Sequence, residues 1–579
     1  MNTLYGQKYL WKLPPLDQNQ ALALAASFNL SVPLAQTLIT RGMTDKEVIS
    51  SYLFSSFEQD VTHPAQLKDA QKAVDRMLYA IDHQEKILIF GDYDVDGITS
   101  SAMMMLCLLP LGAQVNFYLP HRVRDGYGIS STIVQKAAEN GYKVIITVDN
   151  GISAFEPAQV AKKLGIDLII TDHHRPHEHV PEAFAIVNPN QHDCPFPFKG
   201  FAGVGVTFKV LSLLYEKLGK KLPDKVYELL LLGTIADVVP LTRENRYWVR
   251  HCLQHVNAVD SASLQMLKQN GKVTRARINA SDIGFAIAPQ INALGRLEDP
   301  RQGVKFLIGT DGAVVQEVGK VLLELNQTRK EIERSIITEI EREITSGRID
   351  VSKENIIMAA SSHWPPGVIG LVAGRLMNQY GKPTLLFHVS DKGLAKGSCR
   401  SIPEFNMFNA LQGANHLLHS FGGHSVAAGL SLKKDNLPLL KEYLEELLVR
   451  QVDPAQLRPK ITLDAQVALT DLNKKFVDDL SFFEPFGNSN VQPAFVVHNV
   501  TMLGKPQLLK DAHVKCQLFA DGVIKPVIFF NRPELFPLLS EHGEQSLSLA
   551  GQVTENVWEG RSNVELLGLD VALNSQENT

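Results

Sequence analysis

KILIFGDYDVDG, residues Lys86–Gly97, is the stretch that decides the fold. Its apolar run, Ile87–Phe90, predicts a buried strand, and a helix-like segment, Ile98–Leu109, follows it. Between the two stand three acids at alternate positions, Asp92, Asp94 and Asp96. Three like charges buried at a strand end are unfavourable unless a cation neutralises them. The stretch therefore indicates a divalent-metal site, with an acidic turn that caps the next helix as the alternative.

A calcium-binding EF-hand is excluded by the same stretch. That loop requires a glutamate at its twelfth position, and counting from Asp92 the twelfth residue is Met103. The segment before the loop is also strand-like, where an EF-hand has a helix.

Strands and helices alternate after Ile87. The predicted strands are Ile87–Phe90, Val115–Leu119, Val144–Val148, Leu168–Thr171 and Ala185–Val187. Helices such as Ile133–Asn140 and Pro157–Leu164 separate them. Continuous apolar strands that alternate with helices predict a parallel sheet covered on both faces, where ligands bind beyond the carboxyl ends of the strands.

Polar clusters occur at those carboxyl ends. The Val144 strand ends in Asp149-Asn150-Gly151, the Leu168 strand ends in Asp172-His173-His174, and a helix, Leu229–Val239, delivers Asp237. Carboxylate and imidazole ligands suit Mn²⁺ or Mg²⁺ better than a structural zinc site. Such a set can hold two ions that share a bridging carboxylate and act on a phosphoryl group.

The rest of the chain has a different character. Residues 1–80 are predicted to be helical, and residues 310–343 form the longest helical pattern. Residues 351–450 form a second α/β unit, in which a Gly-Gly-His turn at 422–424 is predicted to precede a small-residue helix and to approach a phosphate. From residue 455 short alternating strands predict a small barrel, plausibly an OB-fold.

Composition narrows the class of protein. The chain has 579 residues, a net charge of -5 and a hydrophobic fraction of 45%, which is typical of a multidomain globular protein. Any nucleic-acid-binding surface must therefore be locally basic. Five scattered cysteines indicate neither a disulfide framework nor a zinc knuckle. We found neither a signal-peptide core nor an apolar run that spans a membrane, so we expect a cytoplasmic protein without membrane association.

The motifs GDYDVDG, VDNG, TDHH and IADVVPL, in this order, resemble the four motifs of the DHH phosphoesterase superfamily. The resemblance implies that one or two Mn²⁺ or Mg²⁺ ions are held by Asp94, Asp96, Asp149, His173 and Asp237. It also implies that Asp149 bridges the ions and that His174 acts near the scissile phosphate. Asp172 is implied to orient His173 from outside the metal site. Some relatives have a ligand histidine where this chain has Phe90, so one metal site is short of that ligand.

Further segments resemble the RecJ family of bacterial exonucleases. HRVRDGYG and NALGRL imply that Arg122 and Arg296 face the DNA backbone. GGHSVAAG resembles the signature of the DHHA1 domain, and the match implies further backbone contacts from Arg375, Ser398, Arg400 and His424. PFGNSNVQPAF, residues 485–495, resembles the segment that leads into the OB domain of that family.

We therefore predict an α/β protein with a parallel-sheet DHH domain, a long connecting helix, a DHHA1 domain and a C-terminal OB-fold barrel. The expected boundaries are 1–80 for a helical segment, 81–309 for the DHH domain, 310–348 for the connecting helix, 349–453 for DHHA1 and 454–579 for the OB-fold. The resemblance implies a metal-dependent 5′-to-3′ exonuclease for single-stranded DNA that releases 5′-mononucleotides in recombination and repair.

The expected partners are single-stranded DNA, a single-stranded-DNA-binding protein and a DNA helicase, with the chain itself a monomer. Two alternatives stay open at this point. One is a small-substrate relative: a pyrophosphatase, a short-RNA nuclease or a cyclic-dinucleotide phosphodiesterase, which generally lack the C-terminal barrel. The other is a DNA-binding scaffold without catalysis, which predicts broken metal ligands.

Overall fold

The computed structural model describes residues 3–15, 17–121, 125–126, 128–259, 261–309, 311–453, 457–558 and 561–574. The strands, in chain order, are β1 (Thr3–Tyr5), β2 (Leu10–Lys12), β3 (Lys86–Phe90), β4 (Gln114–Tyr118), β5 (Tyr142–Val148), β6 (Asp167–Thr171), β7 (Ala185–Val187), β8 (Ile357–Ser361), β9 (Thr384–Val389), β10 (Leu394–Arg400), β11 (Leu418–Gly423), β12 (Ala427–Lys433), β13 (Lys460–Thr462), β14 (Ala465–Gln466), β15 (Phe495–Met502), β16 (Gln507–Leu509), β17 (His513–Ala520), β18 (Val523–Phe529), β19 (Leu547–Trp558) and β20 (Arg561–Leu573).

The helices, in chain order, are α1 (Gln18–Phe28), α2 (Val32–Thr40), α3 (Lys46–Phe54), α4 (Phe57–Asp60), α5 (Ala70–Asp82), α6 (Val95–Leu108), α7 (Ser131–Glu139), α8 (Phe155–Leu164), α9 (Gly203–Lys217), α10 (Lys225–Ala236), α11 (Arg243–Ala258), α12 (Ala262–Asn270), α13 (Ala280–Asp282), α14 (Ala288–Leu297), α15 (Arg301–Ile308), α16 (Gly312–Thr345), α17 (Pro366–Tyr380), α18 (Met407–Gly413), α19 (Leu437–Gln451), α20 (Lys474–Ser481) and α21 (Leu535–His542).

The chain divides into two compact units. Unit A contains Ser50–Arg329 and the short segment Glu484–Val491, and unit B contains Met1–Ile49, Lys330–Phe483 and Gln492–Thr579. Helix α16 runs without interruption through the boundary at 329/330 and, at 1.5 Å per residue, is about 51 Å long. The predicted long helix is therefore present.

Unit A is built on a five-stranded sheet in the order β4-β3-β5-β6-β7, and every neighbouring pair is parallel. Side chains on β3 alternate between the two faces: Ile87 and Ile89 pack into one core, whereas Leu88 and Phe90 pack into the other. The predicted doubly covered parallel sheet is confirmed. The strand order reverses at β3, so β3 and its neighbour β5 flank the switch point where such sheets bind ligands.

Unit B contains a mixed sheet in the order β11-β12-β10-β9-β8, in which β8 and β9 are parallel and the other pairs are antiparallel. The expected helix after the Gly-Gly-His turn is wrong, because residues 427–433 form β12. Gly429 pairs across the sheet with Ser398, and this tertiary pairing outweighs the helix propensity of the alanines. The turn is that of a β-hairpin, and Gly423 supplies its φ of 140°.

The C-terminal part of unit B is a closed barrel. Strand β15 pairs with β19, β19 with β20, β20 with β18, β18 with β17, and β17 returns to β15 through Thr501 opposite Phe519. Five strands with one parallel pair, β18 and β20, give the expected OB-fold.

The N-terminus differs from the helical expectation. Helices α1 to α5 are present, but β1 and β2 precede them, and β2 pairs in parallel with β13, where Trp11 is opposite Ile461. Trp11 is fully buried and its indole N–H donates to Asp570 at 3.0 Å. These strands depend on residues about 450 positions away, so a local pattern does not reveal them.

Two further sequence expectations concern cysteines and membranes. All five cysteines are buried and unbridged. Among the described residues, no single helix is both long enough and apolar enough to cross a membrane. The helices α1 and α2 reach that length and apolar composition only when they are counted together, and they are bent sharply at the break between them.

Candidate metal centre

The candidate metal site lies in unit A, at the carboxyl ends of β3, β5 and β6. Asp94 is the N-cap of α6, where its side chain accepts from the Gly97 N–H at 3.1 Å. Gly97 is required there, because a Cβ at this position would lie 2.5 Å from the Asp92 nitrogen. The turn after β3 is therefore tight enough to aim successive acids at one point.

Asp96 and Asp149 are brought together by the start of α9. The two carboxylate oxygens of Asp96 accept from the main-chain N–H groups of Gly203 at 2.6 Å and Val204 at 2.8 Å. The positive end of this helix favours the carboxylate. A Cβ on Gly203 would lie 2.5 Å from the Asp149 Cβ, so only glycine lets α9 approach Asp149 this closely.

Asp149 itself has a left-handed backbone with φ of 62°. Aspartate and asparagine tolerate this region better than other residues with a Cβ, yet the conformation still has a cost. Asn150 supports the turn, since its amide donates to the carbonyls of Phe90 at 3.3 Å and Val148 at 2.9 Å.

The ring of His173 faces three carboxylates. Its Nε2 lies 3.2 Å from Asp149 Oδ1, 3.6 Å from Asp237 Oδ2 and 3.9 Å from Asp96 Oδ2. Burial, together with the charge on His174, lowers the pKa of His173 to about 4, so the ring is neutral near pH 7. The backbone of Phe201 acts in the opposite direction, because a hydrogen bond to it favours the protonated ring, but burial has the larger effect on this pKa.

Acceptor atoms that face one another define a cation site. In the part of the chain that the structure describes, His173 Nε2 and Asp237 Oδ2 are buried and make no hydrogen bond. Buried polar atoms without a hydrogen-bond partner are unfavourable, and a divalent cation between them removes that cost. The residues present therefore fit Mn²⁺ or Mg²⁺.

Two sets of oxygen and nitrogen ligands can be distinguished. Asp96, His173 and Asp237 form one, and Asp92, Asp94 and Asp149 form the other; within each, the candidate ligand atoms lie within 4.8 Å of one another. Asp149 also groups with His173 and His174, so it is adjacent to both sets. This geometry suits two ions that share one carboxylate.

Asp92 is one of the three acids that indicated a metal site, but it is absent from the ligands that the family resemblance implied. It is 4% exposed and belongs to the second set, whereas the motif comparison had assigned only Asp94 and Asp96 from this stretch. Phe90, at the position where some relatives have histidine, is fully buried and stacks on Tyr118 with ring centroids 5.7 Å apart. The alternation of acids at 92, 94 and 96 was the signal available in the sequence.

The carboxylates repel one another in this buried setting. Burial and the charge of Asp94 raise the pKa of Asp96 to about 7, and burial and the charge of Asp96 raise the pKa of Asp237 to about 9. Burial and the Asp96 charge also raise the pKa of Asp149 well above its usual range. Such a set favours cation binding.

Asp172 contacts both of the histidines that follow it. Its Oδ1 accepts from the main-chain N–H of His173 at 2.7 Å and from the ring Nδ1 of His174 at 2.7 Å. Its Oδ2 accepts from the Ile152 N–H at 2.9 Å. Asp172 therefore holds the main chain of His173 and the ring of His174.

His174 is consequently a cation at neutral pH. Burial opposes its charging, but the hydrogen bond and the charge of Asp172 outweigh burial and raise the pKa of His174 to about 9. The pKa of Asp172 is lowered because its bond to His174 outweighs the effect of burial.

Arg296 lies beside the same acids. A cavity of about 330 Å³ is lined by Asp92, Tyr93, Asp94, Asp149, His174, Ala236, Asp237, Asn292, Gly295 and Arg296. A Cβ on Gly295 would lie 2.1 Å from the Tyr93 carbonyl oxygen, so α14 can approach the acidic turn only through glycine. The structure thus brings Arg296 to the metal site.

The other predicted DNA-binding residues lie in unit B, except for Arg122, which lies outside the described residues. Ser398 and Arg400 are on the same face of β10, and Arg400 Nη1 donates to Ser398 Oγ at 3.2 Å. His424 is exposed and follows β11, and its N–H donates to Ala427, the residue opposite Arg400. Arg375 on α17 is 60% exposed and lies 3.9 Å from Glu333.

Three segments of the chain match domain families of known proteins. Residues 86–234 match the DHH family N-terminal domain, residues 353–450 match the DHHA1 domain, and residues 463–570 match the RecJ OB domain. Together with the acidic metal centre, these domains define a phosphoesterase of the DHH superfamily.

Bacterial proteins of known function are similar to this chain over most of its length. The chain is 33% identical to the single-stranded-DNA-specific exonuclease RecJ of Bacillus subtilis, over 98% of this chain and 72% of that protein. It is 32% identical to the Escherichia coli protein of the same name, over 87% and 90%. The chain belongs to the RecJ family.

Solved structures agree with this assignment. RecJ from Thermus thermophilus in complex with Mn²⁺ has a TM-score of 0.81 and 26% identity, and the match covers 98% of this chain and 80% of that one. An exonuclease RecJ bound to manganese has a TM-score of 0.58 and 31% identity, over 67% of this chain and 97% of that one.

Proposed function

We propose that this protein is a metal-dependent exonuclease specific for single-stranded DNA, which removes nucleotides from the 5′ end as 5′-mononucleotides. The observation that carries the proposal is Asp149, a buried carboxylate adjacent to two ligand sets in a cavity that also contains Arg296 and His174. The RecJ relatives, named as single-stranded-DNA-specific exonucleases, support the substrate. The 5′-to-3′ direction and a role in recombination and repair rest on the family resemblance.

The metal ligands divide between the two sets. One ion would be held by Asp96, His173 and Asp237, a second by Asp92 and Asp94, with Asp149 adjacent to both. When bound, Mn²⁺ or Mg²⁺ ions make water nucleophilic near neutral pH and neutralise charge on the phosphate.

The chain's own cations act on the substrate. His174, kept protonated by Asp172, places a positive charge at the cavity wall and stabilises the charge that develops on the phosphate oxygens. Arg296 offers a planar set of donors that fits a phosphate and orients it toward the acids. His173 is neutral because burial lowers its pKa, and its Nε2 faces the carboxylates of Asp149 and Asp237.

The remaining contacts to the DNA backbone are assigned to residues of unit B and to Arg122. Ser398 and Arg400 form one adjacent donor pair on β10, and His424 lies at the end of the neighbouring hairpin. Arg375 and Arg122 complete the set on the basis of the family resemblance.

Cellular context is also proposed. We infer a cytoplasmic monomer that works with a single-stranded-DNA-binding protein and a DNA helicase. The buried, unbridged cysteines agree with a reducing compartment. Size-exclusion chromatography with light scattering tests the monomer, since a dimer doubles the mass.

The decisive experiment uses one oligonucleotide labelled at the 5′ end and one labelled at the 3′ end, each single-stranded or annealed to its complement. Each is incubated with Mn²⁺, with EDTA, and with Mn²⁺ and the Asp149→Ala variant. Immediate release of labelled mononucleotide only from the 5′-labelled single strand, lost with EDTA and with the variant, supports the proposal.

The other outcomes separate the alternatives. Early release of the 3′ label would show that degradation starts at the 3′ end, which contradicts the proposed 5′-to-3′ direction. Binding of the strands without cleavage favours the scaffold. Cleavage of pyrophosphate or cyclic dinucleotides, with the long strands intact, favours a small-substrate phosphodiesterase.

A further inference from the structure

The segment Glu484–Val491 belongs to the compact unit that contains the metal centre, although it follows Asp237 by about 250 residues. It contacts the turn that carries Asp237. The side-chain amide of Asn488 donates to the Val238 carbonyl at 2.6 Å, and the Leu241 N–H donates to the Asn488 carbonyl at 2.8 Å. One residue thus holds both ends of the turn.

The turn is locally unfavourable. Val238 has a left-handed backbone with φ of 57°, which is rare for a β-branched residue, and it is 64% exposed, so burial contributes little to holding it. Strained backbone of this kind persists only where surrounding contacts fix it. Asp237 immediately precedes it and ends α10, where its N–H donates to Gly233 at 2.9 Å. The backbone that follows Asp237 is therefore held by contacts from outside α10.

The segment is itself well fixed within the unit. Gly487 and Asn490 exchange main-chain hydrogen bonds of 2.9 and 3.1 Å, which closes a tight loop around Asn488. The Tyr52 hydroxyl donates to Asn490 Oδ1 at 2.8 Å, and Arg250 donates to the Glu484 carbonyl at 2.7 Å. Asn488 is therefore presented to the turn from a rigid support.

Gly487 contributes a second contact. A Cβ at this position would lie 2.6 Å from Leu241 Cδ1, so the glycine allows the segment to lie directly on the buried Leu241. The hydrogen bond from Asn488 and the packing of Gly487 thus act on opposite ends of the same five-residue turn.

We propose that Asn488 is a positioning residue for Asp237, and that through this carboxylate it sets the affinity of the ligand set Asp96–His173–Asp237 for Mn²⁺. The inference rests on the metal centre of the proposed function. Supporting residues around metal ligands typically change metal affinity by about 10- to 100-fold when removed. Asn488 acts on the backbone of the ligand's turn, so we expect the lower end, about tenfold.

The test measures Mn²⁺ binding directly in the full-length chain, by isothermal titration and by the Mn²⁺-induced rise in melting temperature. Asn488→Ala removes the donor, and Asn488→Asp keeps the shape but places a carboxylate against the Val238 carbonyl. We expect weaker Mn²⁺ binding in both, with the aspartate variant the weaker. Nuclease activity of the alanine variant should return at high Mn²⁺, because the ligands themselves are intact.

Asn257→Ala is the matched control. Asn257 also holds a remote chain segment with two hydrogen bonds, to the carbonyl and from the N–H of Ile278, at 3.0 and 2.8 Å. It belongs to neither ligand set. A merely structural role for Asn488 predicts that both alanine variants lower the melting temperature in EDTA and leave Mn²⁺ binding unchanged.

Wild-type Mn²⁺ affinity in Asn488→Ala and Asn488→Asp overturns the inference, as does absence of Mn²⁺ binding by the wild-type chain. Gly487→Ala, which displaces Leu241 from the other side, is expected to weaken Mn²⁺ binding as well. If the wild-type chain binds Mn²⁺ but degrades no DNA, the proposed exonuclease fails while the role of Asn488 is still decided by the binding data.

Discussion

Asp149→Asn is expected to stabilise the metal-free protein while removing its response to metal. Asparagine suits the left-handed backbone of position 149, so the change removes a charge without adding strain. In the wild-type chain, Asp149 lies within 4.8 Å of the ligand atoms of Asp92 and Asp94. Loss of its charge therefore relieves repulsion that a bound ion otherwise neutralises.

The magnitude follows from Coulomb's law. Two like charges 4.8 Å apart repel by about 3.5 kcal/mol at an effective dielectric constant of about 20. Proton uptake relieves part of this, because the pKa of Asp149 is raised by burial and by the Asp96 charge. We expect a net gain of about 2 kcal/mol in EDTA, or about 4–8 °C in the melting temperature of this unit.

Mn²⁺ should stabilise the wild-type chain much more than the Asp149→Asn variant. One ion at a hundredfold excess over its dissociation constant stabilises the wild-type chain by about 2.7 kcal/mol. Asp149→Asn should lose most of this increment, so the order of stability reverses between EDTA and Mn²⁺. Differential scanning calorimetry in the two buffers measures both effects.

Asp69→Asn is the matched control for that experiment. Asp69 also has a left-handed backbone, with φ of 60°, and its carboxylate accepts from the Ile186 N–H at 3.0 Å, but it belongs to neither ligand set. It should leave the Mn²⁺ increment unchanged. If Asp149→Asn lowers the melting temperature in EDTA, or keeps the full Mn²⁺ increment, the assignment of Asp149 is refuted.

Three further outcomes are expected. Asp92→Asn should weaken or remove one of two Mn²⁺ equivalents in a titration and keep the other, whereas unchanged stoichiometry and affinity would exclude Asp92 as a ligand. Arg296→Gln should lower kcat/KM on single-stranded DNA about tenfold or more, with Mn²⁺ affinity unchanged, because one charged phosphate contact is lost. Gly295→Ala should lower the free energy of unfolding by about 1–3 kcal/mol and reduce activity, since its Cβ would meet the Tyr93 carbonyl oxygen at 2.1 Å; wild-type stability would contradict that packing.

The sheet of unit A was predictable because its signals are local. Each strand is a short apolar run with a turn at its end, and a parallel sheet brings those ends to one edge. The five predicted strands are present, and Asp94, Asp149 and His173 meet there as expected. Ligands that follow a strand directly inherit their position from that strand.

The predictions that were wrong concern segments whose structure depends on residues far away in the sequence. The helix expected after the Gly-Gly-His turn is a strand because β10 pairs with it, and β2 exists because β13 supplies its partner. The ring contact of Asp172 was not predictable for another reason. His173 and His174 are adjacent in sequence, and only the structure shows that the carboxylate reaches the main chain of His173 and the ring of His174.

The candidate metal ligands differ in which contacts fix their positions, and Asp237 shows the difference. Asp94, Asp96 and Asp149 follow the carboxyl ends of β3 and β5 within a few residues, and Gly97 and Gly203 allow the close approaches around them. Asp237 ends a helix and is followed by a strained Val238 whose carbonyl is held by Asn488, about 250 residues later in the chain. The candidate ligands all lie at or before residue 237, whereas the Asn488 amide that holds the Val238 carbonyl comes about 250 residues later. We therefore expect the segment Glu484–Val491 to affect the affinity of the site for Mn²⁺ more than it affects the folding of unit A.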